Sequence, residues 1–171
     1  AGATPSFRTQ AFRRYLAIAA SPAASERLYQ IWKTRQAPAG CSLSERDYIQ
    51  LSYQLAIRMP ERAEAIVREQ AARITNPDRQ AEYRFISPAV SPLKHVRDSV
   101  FQSLLRAENR RVEPWASASL ALLNHPLREP ESVEYIRPAL EALQEVQRTG
   151  DIFFPTAWLR ALLGGHASAA A

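Results

Sequence analysis

Hydrolytic zinc chemistry on a helix needs two histidines at i and i+4, so that both imidazoles face one metal, with a glutamate between them to activate water. The three histidines here, His95, His125 and His166, are followed by Val96, Pro126 and Ala167, and no two of them share that spacing. A nucleophilic serine usually sits on a sharp glycine-flanked elbow, whereas the serines of this chain precede prolines, cap expected helices or lie within them. Cys41 is the single cysteine and stands in a Pro/Gly loop; alone it can neither close an intrachain disulfide nor build a zinc cage. The carboxylate pairs Glu61/Glu64 and Glu129/Glu131 have the composition for acid/base work, but both fall in expected first helical turns, where negative charge favours the positive end of the helix dipole. Phe12-Arg13-Arg14-Tyr15 and Tyr29 with Trp32-Lys33 combine rings and cations in a way that suits base stacking. Placed on helices, Phe12, Tyr15 and Trp32 are core candidates instead. The chain taken by itself reads as non-catalytic.

The elements that would position these residues are helices. Apolar residues recur at threes and fours, and prolines fall between the apolar stretches, where they begin a helix without interrupting one. The first helix is expected to carry Phe7, Ala11, Phe12, Tyr15 and Leu16 on one side. Ser21-Pro22 opens the second, with Leu28, Ile31 and Trp32. After the loop from Gln36 to Ser42, Ser44-Glu45-Arg46-Asp47 resembles a capping box and starts a helix with Tyr48, Leu51, Leu55 and Met59. Pro60, Asn76-Pro77-Asp78, Ser91-Pro92 and Glu113-Pro114 open further helices. A long helix is expected from Pro130 to Gly150, with Gly150 in the left-handed position that ends a helix, and a last one from Pro155 to Leu163. This predicts an all-α chain of about nine helices, stacked in antiparallel pairs as an α-solenoid of the HEAT or armadillo kind. Residues 1–171 are expected to form one helical-repeat domain, with 166–171 a disordered tail.

Composition narrows the classes of function. The 171 residues include 12 Pro and 5 Gly, too few glycines for phosphate-cradling loops. Residues 1–85 hold 13 basic against 8 acidic side chains and residues 86–171 hold 9 of each, so the net charge of +5 is local to the first half. The arginines of that half are spaced among glutamates in helical rhythm, which reads as a solvated face and not a nucleic-acid footprint. No apolar run approaches the roughly 18 to 20 residues of a membrane span. The start lacks the pattern of a signal peptide, and cytoplasm is the default compartment.

The second half carries more than generic helix. Asn124-His125-Pro126-Leu127-Arg128, Tyr135-Ile136-Arg137-Pro138, Gln147-Arg148-Thr149-Gly150-Asp151-Ile152-Phe153-Phe154-Pro155 and Trp158-Leu159 together resemble the C-terminal helical domain of bacterial M1-family zinc aminopeptidases. These are the gluzincins, related to aminopeptidase N and leukotriene A4 hydrolase. Leu28 to Lys33 and Ile74 to Arg79 agree, so the resemblance covers roughly residues 25 to 165.

The resemblance implies a parent enzyme that removes N-terminal residues from peptides. Its zinc is held by a His-Glu-x-x-His helix and a downstream Glu, and a Gly-x-Met-Glu-Asn segment binds the free amine. Neither motif occurs in these residues, so the implied zinc belongs to a catalytic part upstream, and no catalytic or metal residue is assigned here. The implied partners are that catalytic domain and the peptide substrate, whose chamber the helical domain walls. Arg128 is the candidate for the substrate channel, because a guanidinium grips a carboxylate with a planar fork; the plainer expectation is a surface arginine pairing Glu129 or Glu131. Pro126 forces His125 out of the helical region, which suggests a helix end whose imidazole satisfies nearby carbonyls. The alternative function is a stand-alone helical-repeat adaptor that binds a protein partner.

Overall fold

A computed structural model of the chain describes residues 4–168. The described residues are all-α, without a strand. Their packing divides into two compact units, with the boundary between Gln80 and Ala81.

The N-terminal unit contains α1 (Pro5–Ile18), α2 (Pro22–Thr34), α3 (Glu45–Arg58) and α4 (Ala63–Arg73), the last entered through a short 3-10 turn at Pro60–Arg62; α5 (Pro77–Ile86) spans the boundary. The starts are those the sequence announces. The Ser21 hydroxyl accepts the Ala24 N–H ahead of Pro22. Ser44 and Asp47 form a reciprocal capping box, the Ser44 hydroxyl accepting the Asp47 N–H and the Asp47 carboxylate accepting the Ser44 N–H at 2.8 Å. Helix α3 is the hub, packed against α1, α2 and α4. Its Tyr48, Leu51 and Leu55 join Phe12, Leu16, Leu28, Trp32 and Ile66 in one core.

One expectation for α1 fails. Phe12 and Leu16 are buried, but Phe7, Ala11 and Tyr15 face solvent, Phe7 being 63% exposed. Both faces of this helix are apolar, so periodicity alone could not tell which one packs.

The C-terminal unit contains α6 (Lys94–Leu104), α7 (Glu113–Leu123), α8 (Glu129–Ser132), α9 (Ile136–Glu141), α10 (Leu143–Thr149) and α11 (Phe154–Leu163), with 3-10 turns at Ser87–Val90, Ala107–Arg110, Pro126–Arg128 and Val133–Tyr135. Helix α11 packs on α7 and α9, and α6 on α7. Trp158 is fully buried and its indole N–H donates to the Ala139 carbonyl at 3.1 Å.

The single long helix expected after Pro130 is three short ones. Pro138 has no N–H to bond the carbonyl four residues back, and its ring crowds that carbonyl, so the segment breaks into a 3-10 turn at Val133–Tyr135 and restarts at Ile136. Gly150 is extended (φ −99°, ψ 174°) and not left-handed. A Cβ there would collide with the Phe154 ring, which is why glycine fits. The left-handed helix end is instead Arg35, after α2, at φ 58°.

His166, expected in a loose tail, is held against Asn124 (Nε2 to Oδ1, 2.9 Å), and a Cβ on Gly165 would strike the Asn124 carbonyl. Residues 169–171 of that expected tail lie outside the described residues.

Side-chain links recur at similar separations within each unit. In the N-terminal unit Trp32 bonds Gln70, 38 residues on, and Lys33 bonds Glu69, 36 on. In the C-terminal unit Arg97 pairs Glu131, 34 on, and Arg110 pairs Glu145, 35 on.

Candidate interaction site

The residues singled out in the sequence fall into separate settings. His95 is exposed on α6. His125 ends α7's loop, where its Nδ1 accepts the Leu127 N–H at 3.2 Å, so this nitrogen serves a donor of the 3-10 turn and not a carbonyl. Cys41 is half-buried at the edge of the N-terminal core. Among the described residues no group of three His, Cys, Asp or Glu side chains comes together in a metal-holding arrangement. Glu129 accepts the N–H groups of Ala167 and Ser168 at 2.9 and 2.7 Å, and Glu131 pairs with Arg97.

Arg128 is buried, with 8% of its surface exposed. Its guanidinium donates to the carbonyls of Ala89 (3.0 Å), Val90 (2.8 Å) and Ser91 (3.1 Å). Arg97 reaches the same segment from α6, donating to Ser91 and Pro92 at 2.9 Å each. The 3-10 turn at Ser87–Val90 ends here, and Pro92 cannot continue it, so a run of carbonyls is left for side chains to satisfy. Burial, and then the Arg97 charge, hold the Arg128 guanidinium down to about 10, against the pull of Glu131 and Tyr135. Neither Glu129 nor Glu131 takes its hydrogen bonds.

The turn between α10 and α11 holds two large apolar side chains outside the core. The Asp151 carboxylate accepts the N–H groups of Phe153 (2.7 Å) and Phe154 (3.1 Å), while its own N–H donates to Glu113 at 2.9 Å. Phe154 turns inward and packs edge-on to Trp158 at 5.9 Å. Ile152 and Phe153 are left pointing outward, 83% and 74% exposed. The turn thus fixes two large apolar side chains in water. Beside it is a cavity of about 370 Å³ whose lining includes Arg110, Arg111, Glu113, Thr149, Gly150 and Phe154. Arg110 is itself buried, bonded to the Leu104 carbonyl at 2.8 Å and paired with Glu145.

Sequence reasoning named this segment for its resemblance and did not anticipate the exposed pair. The readable signal is Asp151 placed two and three residues before Phe153 and Phe154, the spacing at which an Asx side chain bonds the backbone ahead of it. No family model, curated protein or solved structure matches this chain.

Proposed function

We propose that this chain is a non-catalytic helical domain that packs against the catalytic part of an M1-type zinc aminopeptidase and walls its substrate chamber. The observation that carries the reading is the α10–α11 turn. Exposing Ile152 and Phe153 forfeits roughly 1.5 to 3 kcal/mol of burial for each side chain, and three hydrogen bonds hold the turn in that state. A rigid apolar pair of this kind is what a buried interface uses as its anchor. It stands in Gln147-Arg148-Thr149-Gly150-Asp151-Ile152-Phe153-Phe154-Pro155, the longest stretch of the aminopeptidase resemblance.

The links 34 to 38 residues apart support stacked helix pairs, since helices one repeat of roughly 40 residues apart lie side by side in HEAT-like arrays. The residues present do not suit zinc, because His95, His125 and His166 have no helical pairing; on this reading the metal is held by the other part. The peptide substrate meets this domain only as a wall. Arg128 stays the candidate channel residue, and its carboxylate-gripping role requires a rearrangement that frees it from Ala89, Val90 and Ser91.

The test is made on the polypeptide that contains this segment. It is expected to release N-terminal residues from peptides and to lose that activity to a zinc chelator. Ile152→Ser with Phe153→Ser is expected to lower its thermal stability or change its peptide-length preference. Full activity with unchanged stability and preference in that variant would remove the turn from the account.

A further inference from the structure

We draw no further inference here: the strongest candidate, the cavity of about 370 Å³ beside the α10–α11 turn, adjoins the site already described, and Arg110 and Arg111 share its lining with Glu108 and Glu113, so its charges select no class of ligand.

Discussion

The two units bury arginine to different depths. Through Gln80 the chain has 12 basic and 7 acidic side chains, and from Ala81 it has 10 of each. In the N-terminal unit arginines lie along the rim of an aromatic core. Arg73 stacks over Trp32 at 4.5 Å and Arg62 over Tyr29 at 4.9 Å, with Glu69 and Glu26 as their carboxylate partners. Arg73 also donates to the carbonyls of Trp32 and Lys33, and Arg58 to that of Leu16, from half-buried positions. In the C-terminal unit Arg97, Arg110 and Arg128 are buried and donate to carbonyls left by interrupted helices, Arg97 and Arg110 also pairing with Glu131 and Glu145. The difference follows from helix length. α2 and α3, at 13 and 14 residues, satisfy most of their own backbone. The C-terminal unit is cut into short pieces by 3-10 turns, and each cut leaves carbonyls that need a donor.

The sharpest break of this comparison is at the anchor of the N-terminal core. Trp32→Ala removes a fully buried ring and the indole N–H that donates to buried Gln70 at 2.8 Å. A loss of about 3 to 5 kcal/mol is expected, measured by urea unfolding, with the fall in amide protection concentrated before residue 80. Equal loss of protection in both units would show that they unfold together.

Next in size is Arg128→Leu, which strands the Ala89 and Val90 carbonyls in the C-terminal unit, while that of Ser91 keeps its bond from Arg97. It is expected to cost roughly 3 kcal/mol. Arg128→Lys should recover only part of that, because an ammonium is a point donor without the guanidinium fork. In the N-terminal unit Arg62→Ala should cost less than about 1 kcal/mol, since both Arg62 and Glu26 are more than 40% exposed. Similar costs at Arg62 and Arg128 would erase the distinction drawn here.

The smallest effect is electrostatic. Burial pushes the Asp47 carboxyl up, but the Arg13 hydrogen bond, those from Ser44 and the Arg13 charge outweigh it and hold the group below its ordinary 3.8. A carboxylate depressed in the folded state contributes stability above its unfolded value and loses it as pH falls through the folded one. Stability should therefore decline below about pH 4, and Asp47→Asn should flatten that decline. An unchanged acid limb in the variant would assign the slope to Glu69 or Asp98, which are lowered by their lysine and other partners.

Much of the N-terminal unit was legible because its signals are local. Ser21-Pro22 and the Ser44/Asp47 box are read within four residues, and Trp32 lies on an amphipathic stripe. The face of α1 was not, since Phe7 and Phe12 look alike in sequence and only the packed neighbours distinguish them. The broken helix after Pro130 kept its apolar spacing of threes and fours across the 3-10 turns, which hid the interruption, although Pro138 was there to signal it. The burial of Arg128 depends on carbonyls nearly forty residues away, and no local pattern reports an unsatisfied carbonyl. Gly150 was misplaced because two roles for glycine look identical in sequence, positive φ and room for a neighbouring ring.

If this chain walls a zinc aminopeptidase, as proposed, the coding frame upstream of Ala1 carries the catalytic part. The account predicts a His-Glu-x-x-His segment, a downstream glutamate and a Gly-x-Met-Glu-Asn segment in the same open frame. A start codon immediately before Ala1 would contradict it, and would leave a stand-alone helical adaptor with the α10–α11 turn as its contact.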